Sequence, residues 1–156
     1  MQEIKDQLIE HLKGGMAFMP VKELVKYIFF EVLYERPKDL PYSFYEIFYH
    51  MRFAQKDILD YIKNEDYISP QWPQEYWPKH NIIDSSEKWE LLKGHFFQEQ
   101  KELIDWIKDS KNELLKPVNT ESDHSLLREI LLVIEHNAYH TGQLLIVLRS
   151  LGLYPG

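Results

Sequence analysis

An all-α, up-and-down four-helix bundle is the fold this sequence predicts, on three observations. Four long stretches place apolar residues at three- and four-residue intervals, the repeat of a helix that buries one face. No stretch alternates apolar and polar residues as a half-buried strand does. Serine-led start signals and Pro or Gly breaks separate the stretches, and amphipathic arms joined by loops pack as a bundle. At 156 residues, without an internal repeat or low-complexity tract, the chain reads as one domain over 1–156.

The first arm runs from about Gln2 to Lys13, with Ile4, Leu8 and Leu12 on one face. Gly14-Gly15 breaks or bends it, and Pro20 stands where a helix restarts. Val21, Leu24, Val25, Ile28, Phe29 and Val32 then continue the arm until Pro37. Ser43-Phe-Tyr-Glu46 is a capping box, in which serine and glutamate each bond the other's backbone N–H. The helix it opens extends to about Tyr61 or Lys63, with Ile47, His50, Ala54 beside Phe53, Ile58 and Tyr61 inward.

A long loop follows, Asn64 to Ile83, carrying Pro70, Pro73 and Pro78 beside Trp72, Tyr76 and Trp77. A loop of that length without periodicity of its own is functional or covers something. Asp84-Ser-Ser-Glu87 reads as a second capping box, opening a helix to about Ser110 with Trp89, Leu92, Phe96, Leu103 and Ile107 inward. Lys116-Pro117 and the polar run to His124 form another loop. The last helix spans about Ser125 to Leu151, and Gly152 and Pro155 end it.

Composition removes several functions. The net charge of −7, with basic residues interleaved among acids, argues against nucleic acid, whose phosphates need clustered Lys and Arg. There is no cysteine, so disulfides and thiolate catalysis are excluded and any metal is held by nitrogen and oxygen. The polar N-terminus lacks a signal peptide's apolar block, and no run approaches the roughly 18 apolar residues of a membrane span. A cytoplasmic protein is the expectation.

Glu135-His136-Asn-Ala-Tyr139-His140-Thr-Gly142-Gln143 holds the chemistry. Positions i and i+4 of a helix point in nearly one direction. His136 and His140 interrupt an apolar stripe of Leu132, Val133, Leu144 and Val147. Burying polar rings without partners costs a few kcal/mol each, and a divalent metal is one such partner. A bundle builds metal sites from facing helices, and His50, between Ile47 and Ala54, is the histidine centred in another inward stripe. Three neutral imidazoles suit Zn, Ni or Fe and leave a position open for water or substrate. The same pattern also suits core histidines bonded to buried carboxylates, or to each other through water.

The segment Leu127 to Arg149 closely resembles the final helix of the DinB-like (DinB/YfiT-like) metalloenzymes. Leu40-Pro-Tyr-Ser43-Phe-Tyr-Glu46-Ile-Phe-Tyr-His50 looks like their second helix, and the loop Tyr67 to Pro78 is similar to one subset of them. The resemblance covers nearly the whole chain. It implies a four-helix bundle, a homodimer, and a divalent metal on His50, His136 and His140.

Around these residues, Gln143 shares the histidine face and either orients a ligand histidine or bound water, or caps a buried carbonyl. Glu135 faces solvent or accepts from a ligand. Glu46 is explained by its cap, and Tyr49 and Tyr139 read as packing. Asn137 ties the helix to a neighbour, and Gly142 permits close helix approach. His11, His80, His95 and His124 read as structural or solvated.

Two metal-dependent reactions on a small-molecule substrate fit: hydrolysis by activated water, or transfer to a small-thiol cosubstrate bound as thiolate. Wider relatives include thiol-dependent S-transferases and mycothiol-dependent maleylpyruvate isomerases, so the resemblance implies the thiol class. No general base stands out. The alternative is a non-catalytic bundle that binds metal or a small molecule. An open metal position beneath a cavity distinguishes an enzyme from a closed structural site.

Overall fold

Ser43, Ser85 and Ser125 each accept a hydrogen bond from the backbone N–H three residues on, and each opens a long helix. These are α3 (Phe44–Lys63), α4 (Ser86–Lys108) and α5 (Leu126–Ser150). They follow α1 (Gln2–Lys13) and a single turn, α2 (Val21–Leu24). The structure is a computed structural model and describes residues 1–80, 83–119 and 123–154. The expected roles of Asn81 and Ile82, of residues 120–122, and of Pro155 as terminator lie outside the described residues. Among the described residues there is no strand beyond one isolated bridge, Pro117 to Ser125. None of the helices is long and apolar enough to cross a membrane.

Local corrections have physical causes. In α1 the inward face is Lys5, Leu8, Ile9 and Leu12, while Ile4 is 46% exposed. Each step of four drifts about 40° around a helix of 3.6 residues per turn, so Ile4 sits about 80° from Leu12 and falls at the exposed edge of the face. Lys5 is buried because its ammonium donates to the carbonyls of Asp109 (3.0 Å) and Asn112 (3.1 Å) just beyond α4. A cation there complements the helix C-terminus.

The second half of the first arm is not one helix. After Leu24 the backbone bonds shift to i→i−3 steps, Phe29 is extended and 60% exposed, and a 3-10 turn forms at Phe30–Val32. Leu24, Val25, Ile28 and Leu33 instead pack with Phe44, Phe48 and Leu148. At the second expected capping box the cap is Ser85, one residue later than read, and Asp84 pairs with Lys88 at 2.6 Å. The α4 core face is buried as expected.

The four long helices form the predicted bundle, and α1 and α3 each pack on both α4 and α5. Their directions do not alternate strictly. Phe44 and Phe48 meet Trp89, Arg52 pairs with Glu99 and Lys63 with Glu102, so α3 and α4 run parallel. His50 meets His136 and Tyr61 meets His124, so α5 runs against α3. Lys5 reaches the end of α4 and Gln100 bonds the Leu12 carbonyl, so α1 runs against α4. Parallel α3 and α4 send the loop after α3, described over residues 64–80, back along the bundle.

Two apolar clusters fill the interior. One centres on Phe44, Phe48, Trp89, Phe96 and Leu144, the other on Leu8, Leu12, Leu59, Leu103 and Ile130. Between them in α3 and α5 lies a polar layer. Gln55 donates to the Phe96 carbonyl at 2.8 Å, Asn137 donates to Gln55 at 3.1 Å, and Thr141 to the Asn137 carbonyl. The stripe His50, Ala54, Ile58 and Tyr61 is not the deepest face of α3. Met51, Gln55, Leu59 and Ile62 go deeper, and Ile58 and Tyr61 are half-buried. That side stripe faces the returning loop.

Candidate metal centre

The histidines stand on α3 and α5, and the antiparallel pairing of those helices brings them together. One ring nitrogen of each of His50, His136 and His140 lies within 4.8 Å of the others. His50 and His140 are buried and His136 is half-buried.

Two of the three ring protons have a defined place. His50 Nδ1 donates to the Tyr76 carbonyl at 3.1 Å, so its Nε2 carries a lone pair. His140 Nδ1 donates to Gln143 Oε1 at 2.6 Å, which leaves its Nε2 as the lone pair. Gln143 Nε2 in turn donates to the Tyr139 hydroxyl at 3.4 Å, which fixes which way the amide points. His136 Nε2 lies 3.1 Å from His50 Nε2. Two nitrogens held at about 2.0–2.1 Å from one ion sit roughly 3 Å apart, so this spacing fits a shared cation. The all-nitrogen donor set suits Zn, Ni or Fe.

The rings are kept neutral. Burial lowers the His136 pKa to about 3, aided by the neighbouring His140 and His50. Burial also lowers His140 to about 4, against the opposing bond to Gln143. His50 is lowered by burial, partly offset by Tyr76. Neutral imidazoles present lone pairs rather than competing protons.

The loop covers the group. Trp77 lies flat on His50, with ring centroids 4.1 Å apart and planes at 5°, and Trp72 stands 6.0 Å away. Beneath the loop is a cavity of about 190 Å³. Ala54, Ile58 and Leu132 supply its aliphatic surface, Trp72 and Tyr76 its aromatic surface, and His50, His136 and Asp57 its polar groups. A larger cavity of about 340 Å³, lined by Tyr49, Phe53 and Trp77, touches none of the three histidines.

Other expectations divide. Gln143 orients a histidine, Asn137 ties α5 to α3 through Gln55, and Glu135 is exposed. Tyr49 packs between Tyr45 and Phe53. Tyr139 does not pack inward: it is 65% exposed. Gly142 is exposed with open space around it, so no helix approaches there. His11, His80, His95 and His124 stand outside the group of three.

The sequence reading missed Asp57. Its carboxylate accepts from the Tyr67 hydroxyl at 2.5 Å and from the Tyr76 hydroxyl, tying the loop to α3. Its place two turns after His50, on the same side stripe, was the available signal.

Comparison with curated proteins and with solved structures returned no match. The family model of the DinB superfamily matches residues 23–144, which include all three histidines. On that match, spanning most of its length, the chain belongs to the DinB superfamily.

Proposed function

We propose that His50, His136 and His140 hold one divalent transition metal, Zn, Ni or Fe, and that the chain is a metal-dependent enzyme of the small-thiol transferase or hydrolase class. The carrying observation is the convergence of three neutral imidazoles at the edge of a cavity, two of them lining it. Among the described residues no fourth His, Cys, Asp or Glu joins the group, which favours an open position over a closed structural site. A divalent ion so held lowers the pKa of water or of a thiol towards neutrality.

The protein's own groups prepare that position. The Tyr76 carbonyl and Gln143 hold His50 and His140 with Nε2 free. Trp77 and Trp72 shield His50 and limit bulk water. A cytoplasmic homodimer belongs to the same reading.

Metal analysis of untagged protein tests it. Stoichiometric metal is expected in the native protein and a severe loss in His50→Ala, His136→Ala and His140→Ala. Full metal in any variant removes that residue from the ligand set. Turnover in thiol-transfer or hydrolysis screens by the metal-loaded protein, absent from the variants, establishes the class. Sedimentation showing only monomer at micromolar concentration rejects the dimer.

A further inference from the structure

The cavity beside the histidines has a chemistry of its own. Its surface comes mainly from Ala54, Ile58, Leu132, Trp72 and Tyr76, so it suits an apolar body. Its volume of about 190 Å³ sets the size. An engineered cavity of about 150 Å³ takes benzene, so one ring with a short chain fills this one. Among its lining residues there is no Lys or Arg, and its one carboxylate is Asp57.

Asp57 is fixed in place by its hydrogen bonds. Two phenol hydroxyls donate to it, one on each oxygen, which leaves a further lone pair on each. Both phenols stay protonated: burial first, then the bond to Asp57, raises Tyr67 to about 12 and raises Tyr76 as well. The groove adjoining Asp57 adds Asp60, Glu65 and Asp66 against Lys63 alone. A carboxylate with aromatic faces at Trp72 and Tyr76 is the surrounding that attracts an organic cation. Asp57 and His50 are seven positions apart in α3, about 10 Å along the axis.

We propose that this cavity binds a compact apolar amine, with its protonated nitrogen at Asp57 and its uncharged end towards the three histidines. The orientation of the uncharged end rests on the metal-centre reading, whereas the charge preference does not. A bulky anionic thiol matches neither the volume nor the charge, so a thiol cosubstrate taken here is small and not anionic apart from its sulfur.

The test is calorimetric titration of the metal-loaded protein with 2-phenylethylamine, 2-phenylethanol and 3-phenylpropanoate, which share a ring and differ in charge. The amine is expected to bind about tenfold tighter than the alcohol, with the carboxylate weakest. Asp57→Asn removes the gap between amine and alcohol, and Leu132→Trp, which fills the cavity, blocks all three. Equal affinities, a preference for the carboxylate, no saturable binding of the amine, or a gap that survives Asp57→Asn overturns the assignment. Undiminished amine binding in Leu132→Trp places the site elsewhere and also overturns it. Metal content measured on the same samples separates this outcome from failure of the metal centre.

Discussion

Trp77 lies parallel to His50, with ring centroids 4.1 Å apart, although it comes from a loop and His50 from the middle of α3. The same loop supplies the Tyr76 carbonyl that fixes the His50 proton. One segment thereby sets both the orientation of the imidazole and its isolation from water.

Replacing Trp77 with alanine removes the stack and leaves the backbone bond in place. Metal affinity is expected to fall modestly, while the rate of metal exchange with a chelator rises by about tenfold or more. Stopped-flow measurement with a chromophoric chelator checks this. An unchanged exchange rate shows that the loop does not gate the centre.

Gln143→Leu deletes the acceptor of His140 Nδ1 at similar volume. The proton is then free to sit on Nε2, where it blocks the lone pair. Metal affinity is expected to drop about 10- to 100-fold, and ring nitrogen-15 shifts of the metal-free protein report the tautomer change. Gln143→Glu, which restores an acceptor, is expected to restore affinity, an outcome a purely structural role does not produce.

Asn137 is buried and donates to Gln55. Asn137→Ala orphans the Gln55 oxygen and is expected to cost about 1–3 kcal/mol. Asn137→Asp costs more, because it buries a charge between two apolar clusters. Urea unfolding of the three proteins ranks them, and an aspartate variant as stable as the native protein contradicts the polar-layer account.

Acid weakens the metal-free fold. The unfolded chain protonates its histidines near 6.5, whereas folded His136 and His140 protonate at about 3 and about 4, with His50 also lowered. Between those values the unfolded chain binds more protons, so stability declines as pH drops below about 6.5 and levels off only near the folded values. Chelator-treated protein followed by thermal unfolding from pH 7.5 to pH 4.5 shows the decline. His136→Phe, which has nothing to protonate, loses less over the same range.

The elements of this bundle were legible because their causes are local. A serine at the start of α3, α4 and α5 and a 3.6-residue apolar repeat behind it lie within a few positions of one another, as at Ser43 and Ser125. Reading failed where packing overrode the repeat. Val21 to Val32 look like one helix face, yet they fold into short turns that place Ile28 and Leu33 against Phe44 and Phe48. Tyr139 is an aromatic residue that the bundle leaves outside.

By itself the chain determined where the four long helices lie, that His136 and His140 share a direction, and that His50 sits on an inward-leaning stripe. Those properties depend on neighbours within a turn or two. Tertiary structure alone decided that α3 and α4 run parallel, and therefore that residues 64–80 return along α3 and cover the histidines. It also decided that Asp57, Trp72 and Leu132 bound one cavity with His50 and His136. An apolar repeat specifies which face is buried but carries no information about the direction or identity of the element that buries it.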